Sequence, residues 1–154
     1  MIPQLVQIPG ALHDALPPGV HWATLAEVEA RFASTDQRRW LFEGLVAVAG
    51  ALRKAGCRIM YVGGSFVNGK PRPEDFDGCW DPTNVQPALL DPVLLNFEDD
   101  RAAQKWAYRG EMFISTMPSG GGGTYFQFLQ VEKDTGEAVG LVGIRLKAEI
   151  GFAL

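Results

Sequence analysis

Residues 60–81, MYVGGSFVNGKPRPEDFDGCWD, constrain this chain more than any other stretch. The apolar run over residues 58–62 reads as a strand and breaks at Gly63-Gly64-Ser65. A loop punctuated by glycine and proline follows, and a second strand is expected over residues 75–80, closed by Asp81-Pro82. In an extended strand residues i and i+2 share a face, so Asp75 and Asp77 project together. Two neighbouring carboxylates repel unless a cation sits between them. Mg²⁺ is the natural cation, because it takes oxygen ligands, keeps waters and favours one or two carboxylates plus phosphates. Glycines 63 and 64 lack a Cβ and let a phosphate approach backbone amides, and Ser65 adds a hydroxyl. Each half alone also occurs in ordinary strand-to-loop turns and on solvated strand edges.

Around this unit the chain mixes helices and strands. Residues 1–23 carry Pro3, Pro9, Gly10, Pro17, Pro18 and Gly19 and read as an irregular arm. Its apolar residues Leu5, Val6, Ile8, Leu12 and Leu16 lay it on the domain rather than in solvent. His13 and His21 fall in this arm and read as solvated or hydrogen-bonded loop residues. Thr24 and Glu27 have capping-box spacing for a short helix over residues 25–33. Ser34, Thr35 and Asp36 offer a second cap. The spacing of Trp40, Leu41, Leu45, Val48 and Leu52 then predicts a long helix over residues 36–55, ended by Gly56. Arg38 and Arg39 read as charges on the solvated face of that helix, within reach of a phosphate.

Short helical turns are expected over residues 87–90 and 92–97, and a helix from the acids Glu98-Asp99-Asp100 to Gly110. A third strand is expected over residues 111–115. Ser119 and the four glycines after it either cradle phosphates or form a mobile connection, and no P-loop or dinucleotide fingerprint is present. Residues 124–134 are ambiguous between helix and strand, and a final strand is expected over residues 139–147. The expected class is α+β, with a mixed sheet of about four strands packed against helices.

At 154 residues the chain reads as the arm plus one domain over residues 24–154. A net charge of −4 argues against broad binding to nucleic acid or to an anionic membrane, both of which call for a basic surface. Cys57 and Cys79 lack metal-ligand spacing and read as buried free thiols, which suits a reducing cytoplasm. No basic leader and no apolar run of ~18 residues is seen, so neither a signal peptide nor a membrane span is expected.

The glycine-serine turn and the Asp-Phe-Asp that follows it resemble a known pattern. Nucleotidyltransferases of the DNA polymerase beta type carry an apolar residue, Gly-Gly or Gly-Ser, a spacer, and then Asp-apolar-Asp. The matching pieces are Val62, Gly63-Gly64-Ser65, the nine residues from Phe66 to Glu74, and Asp75-Phe76-Asp77. The stretches LPPGVHWATLAEVEARF, VGGSFVNGKPRPEDFD and TYFQFLQVEKDTGEAVGLVGIRL are similar to a group of small bacterial nucleotidyltransferase-like proteins. That resemblance implies a nucleotidyltransferase-like fold and an NTP as substrate. Gly63, Gly64 and Ser65 would bind the nucleotide, with Gly64 and Ser65 on its β- and γ-phosphates. Asp75 and Asp77 would coordinate Mg²⁺, and a third carboxylate from a later strand would complete the site. Glu111 is the candidate, because it opens the expected third strand, and Asp81, Asp91, Asp99 and Asp100 are less well placed. Lys70 and Arg72, between the motifs, either neutralise the triphosphate or sit in water.

Two departures stand out: Gly78 replaces the bulky apolar residue expected after the second Asp, and the third acid is Glu. No separate acceptor-binding domain is visible. The resemblance is thus to minimal nucleotidyltransferases of toxin–antitoxin and defence systems, which act on a protein or RNA partner. The alternative is a catalytically inactive partner-binding protein on the same fold. An exposed edge strand, Trp80 and Trp106 are the features offered to a homodimer or a partner.

Overall fold

Caps decide where the two helices that cover the sheet begin. The structure, a computed structural model, describes residues 1–146. The Thr24 hydroxyl accepts from the Glu27 amide at 3.1 Å, and the Glu27 carboxylate accepts from the Thr24 amide at 3.2 Å. This reciprocal pair starts α1, Leu25–Phe32. The Thr35 hydroxyl accepts from the Arg38 amide at 3.2 Å and starts α2, Asp36–Lys54. Leu41, Leu45, Val48 and Leu52 are fully buried, so the apolar stripe read from their spacing is the face that packs on the sheet.

Five strands form one mixed sheet: β1 Gly19–Trp22, β2 Ile59–Gly63, β3 Phe76–Trp80, β4 Gly110–Ile114 and β5 Gly140–Arg145, in the order β1-β5-β2-β3-β4. β2 runs antiparallel to β3 and β5, whereas β3 pairs with β4 and β1 with β5 in parallel. The fold is α+β. One face, bearing Met60, Val62, Phe76, Trp80, Met112, Val142 and Ile144, packs on α1 and α2. The other face, bearing Tyr61, Cys79, Phe113 and Leu141, is covered at Leu129 and Tyr125 by the short helix α4, Tyr125–Phe128. Helix α3, Glu98–Tyr108, lies along β4, where the Gln104 Oε1 accepts from the Met112 amide at 2.8 Å and closes that edge.

Several expectations change. The sheet has five strands rather than four, because β1 forms inside the segment read as an irregular arm. Its hydrogen bonds come from β5, about 120 residues away, and nothing local announces them. The strand expected over 75–80 starts at Phe76, so Asp75 stands just before it. The last strand ends at Arg145, and the expected end at Lys147 lies outside the described residues. The ambiguous stretch after Thr124 is a one-turn helix with its own capping box. The turns at Pro87–Leu89 and Pro92–Leu95 are short 3-10 helices. The reversal after α3 occurs at Arg109, φ 69°, rather than at Gly110. Arg109 is held there by the Trp40 carbonyl at 2.7 Å and by the Glu43 carboxylate at 2.9 Å. Trp80 is buried in the core and offers nothing to a partner, whereas Trp106 is 91% exposed. Cys57 and Cys79 are buried free thiols, as expected, and burial pushes them up to about 11 and about 12. Among the described residues no helix is long and apolar enough to cross a membrane.

Candidate functional site

The site grows from one row of the sheet. Gly63 at the end of β2 pairs with Asp77 of β3, and Asp77 pairs with Glu111 of β4. Alternation along each strand turns Asp77 and Glu111 away from α1 and α2, onto the face shared with Cys79 and Phe113. After Gly63 the chain reverses at Gly64, whose φ is +66°, into the 3-10 turn Gly64–Val67. A Cβ at Gly64 would lie 2.5 Å from the Asp77 Oδ2. Glycine is therefore required twice, for the left-handed backbone and for the contact between turn and carboxylate. Gly78 has a local reason too: a Cβ there would stand 2.5 Å from the Tyr61 carbonyl oxygen and 2.7 Å from the Met112 sulfur. The volume of the expected bulky residue is taken by Met112 from the neighbouring strand.

The turn is held from below by Arg38. Rather than lying on a solvated helix face, Arg38 is buried at 6% exposure. Its guanidinium donates to the carbonyls of Phe66 at 2.6 Å, Lys70 at 2.7 Å, Asn68 at 2.9 Å, and Phe32 and Ser65 at 3.3 Å. Five carbonyls thus find one partner, whose planar fork suits the task. Arg39 stays exposed and pairs with Asp36.

The carboxylates strain against one another electrostatically. Burial pushes Asp77 up to about 8, assisted by its hydrogen bond with Glu111 and by the charges of Asp75 and Glu111, against the pull of Lys105. Asp75 is raised as well, first by burial and then by Glu111. Burial and the neighbouring acids thus favour the protonated form of the Asp77 carboxyl, which hydrogen-bonds to Glu111. Glu111 has a cation of its own: the Arg101 Nε donates to its Oε2 at 2.8 Å, and the Lys105 Nζ stands 3.7 Å from the same oxygen. Asp100 bridges both cations, at 2.7 Å from Arg101 and 3.0 Å from Lys105. The Lys105 hydrogen bond and the Arg101 charge hold its carboxyl below the usual carboxylate range, and so keep it ionised.

Arg101 reaches Glu111 because α3 does not begin as a regular helix. Asp99, Asp100 and Arg101 have φ of 51°, 56° and 58°, three left-handed residues without a glycine among them. Each such residue costs about 1 kcal/mol or more, so the turn is held by what its side chains grip.

A cleft of about 470 Å³ opens over this floor. Of the residues singled out by sequence, Gly64, Ser65, Lys70, Asp77 and Glu111 line it together. Gly63 lies beneath the wall against Leu129, Asp75 stands beside the floor and acts on it through its charge, and Arg72 is exposed in the loop. The glycine run after Ser119 is not part of the lining. Sequence reasoning missed Arg101, His13 and the aromatic wall of Phe113, Tyr125 and Phe128, all of which line the cleft. The arm signalled His13 only by carrying Leu12 and Leu16 around it, and the aromatic cluster at residues 125–128 was visible without a partner to face.

Asp75, Asp77 and Glu111 offer oxygen only, which suits Mg²⁺, and a cation would relieve the repulsion that raises Asp77. Among the described residues, however, no group of three or more His, Cys, Asp or Glu side chains is already gathered to hold a metal ion. The fit is that of one or two carboxylates completed by substrate phosphates rather than of an all-protein cage.

A family model described as a family of unknown function, DUF6932, matches residues 11–145. The chain belongs to this family. The match runs from the arm through β5 and takes in every residue that lines the cleft, so the site lies wholly within the DUF6932 unit. No curated protein and no solved structure matches the chain.

Proposed function

We propose that the cleft binds a nucleoside triphosphate with Mg²⁺ and that this DUF6932 chain is a nucleotidyltransferase of the DNA polymerase beta type. The reading extends to a nucleotidyltransferase-like fold for the five-stranded sheet. The observation that carries it is the contact of the Gly64 turn with Asp77, beside Glu111, on the floor of one cleft. A phosphate-cradling turn and a carboxylate pair are thereby offered to a single ligand.

In this reading the Ser65 hydroxyl and the turn's amides receive the β- and γ-phosphates, and Lys70 adds positive charge on the same wall. Asp77 and Asp75 would hold Mg²⁺, with Glu111 alongside. Bound there, Mg²⁺ would screen the triphosphate and polarise the phosphoryl group under attack. A hydroxyl of a protein, RNA or small-molecule acceptor attacks the α-phosphorus. The new O–P bond forms as the bridging bond between α- and β-phosphate breaks, pyrophosphate leaves, and Glu111 takes the hydroxyl proton. The acidic chain suits a partner that brings its own basic surface, as in a toxin–antitoxin or defence pair acting in the cytoplasm.

Transfer of label from α-labelled NTPs in the presence of Mg²⁺ and cell extract tests the reading. Labelling of an acceptor by wild type and its loss in Asp75→Ala/Asp77→Ala are expected. Absence both of transfer to any acceptor and of Mg²⁺-dependent NTP binding by the purified protein would overturn it. One observation favours a second reading, a catalytically inactive partner-binding protein: Glu111 is already neutralised by Arg101, and among the described residues no three ligands are gathered. Biological activity unchanged in the double Asp variant would select that reading.

A further inference from the structure

Arg101 belongs to no motif, yet it is the best-connected cation at the cleft. Its guanidinium lines the same space as Ser65, Lys70 and Asp77. It grips Glu111 at 2.8 Å and Asp100 at 2.7 Å, and its Cζ stands 5.5 Å from the centre of the Phe113 ring. That ring is fixed in a stack, 5.8 Å from Phe97 and 3.8 Å from Tyr125. Lys105 lies behind, 3.0 Å from Asp100 and 3.7 Å from Glu111. Two cations therefore serve one carboxylate. Only one of the two, Arg101, also faces the cleft.

We propose that Arg101 is an exchangeable counter-ion: it neutralises Glu111 in the empty cleft and turns onto the phosphates when metal and triphosphate enter. The inference rests on the nucleotidyltransferase reading above and goes beyond it by assigning a phosphate-binding residue and a coupling between two ligands. Three features support it. A dication arriving at Glu111 and Asp77 cannot share the Glu111 oxygen with a guanidinium 2.8 Å away without strong repulsion. The guanidinium fork matches phosphate oxygens bidentately, so the displaced side chain has a partner in the same ligand. Lys105 remains on Asp100, so the acid that Arg101 leaves behind stays neutralised. The left-handed turn at residues 99–101 is held by these grips and is free to relax when one of them is exchanged. Metal alone must then compete with Arg101, and metal with nucleotide need not. The two ligands bind cooperatively, and Arg101 is the device that couples them.

Calorimetric binding of Mn²⁺, with and without α,β-methylene-ATP, tests this on wild type, Arg101→Gln, Arg101→Lys and Asp77→Asn, with circular dichroism as the control for folding. Wild type is expected to bind Mn²⁺ about tenfold more tightly when the nucleotide analogue is present. Arg101→Gln binds Mn²⁺ alone about tenfold more tightly than wild type and loses the enhancement by nucleotide. Arg101→Lys keeps the weak Mn²⁺ affinity but shows a smaller enhancement, because an ammonium lacks the fork. Binding lost in Asp77→Asn but identical in wild type and both Arg101 variants overturns the inference and leaves the metal site standing. No Mn²⁺ binding by any of the four proteins overturns the inference together with the reading on which it rests.

Discussion

Replacing Asp77 by Asn keeps the shape of the side chain and its ability to donate to Glu111, while removing the group that titrates. The sign of the effect follows from the direction of the shift. Asp77 is raised from 3.8 to about 8 in the folded protein, so the folded state holds a proton that the unfolded chain releases. Its favourable share is fully present below pH ~4 and is lost as pH rises towards the folded value. Over that window the wild type should lose up to ~1.4 kcal/mol per pH unit relative to the variant. The full shift sets a ceiling of ~6 kcal/mol, and relaxation and water at a half-buried carboxyl bring the expected difference down to ~2–3 kcal/mol. Asp75 is raised in the same direction and is common to both proteins, so it largely cancels in the comparison. The assay is urea unfolding of wild type and Asp77→Asn at half-unit steps from pH 4.5 to pH 8.5, without metal. The variant's advantage should grow steadily with pH and level off near pH 8. Parallel curves, offset by a constant, would refute the claim that burial, Glu111 and Asp75 together favour the protonated form of Asp77.

Two further variants probe the scaffold of the cleft. Gly64→Ala puts a methyl 2.5 Å from the Asp77 Oδ2 on a left-handed backbone and should cost about 2 kcal/mol in urea unfolding. A variant as stable as wild type would mean that the turn does not press on Asp77. Arg38→Met leaves the carbonyls of Phe66, Asn68 and Lys70 without their partner and should cost about 3 kcal/mol or more, with faster proteolysis between residues 64 and 74. Unchanged cleavage in that segment would show that the loop is held by other means.

Local signals explain which parts of this architecture could be read from the chain. Thr24 with Glu27, Thr35, and the stripe Leu41–Leu45–Val48–Leu52 are caps and periodicities within a turn or two, and they set α1 and α2 to within a residue. The glycine-serine turn and Asp77 lie close in sequence, and so does their contact. What stayed hidden depends on distant partners. β1 is four residues long and acquires its pairing only when β5 arrives. Arg38 looks like any helix charge until the loop ending at Lys70 folds back over it. The acids at residues 98–100 resemble the favourable start of a helix, yet two of them adopt a left-handed turn whose purpose appears only with Arg101 on Glu111. The spacing of Asp75 makes it Asp77's companion on one strand, but β3 begins one residue later.

We propose that Gly64, Ser65, Asp77 and Glu111 are the floor and wall of a site for a metal and a triphosphate. Diffraction from crystals grown with Mn²⁺ and α,β-methylene-ATP tests it most directly, because manganese is located by its anomalous scattering. An anomalous peak is expected at Asp77 with Asp75 or Glu111 beside it, and phosphate density against the Ser65 amide. A cleft without metal or phosphate at saturating ligand, or a peak on acids elsewhere on the surface, would contradict it.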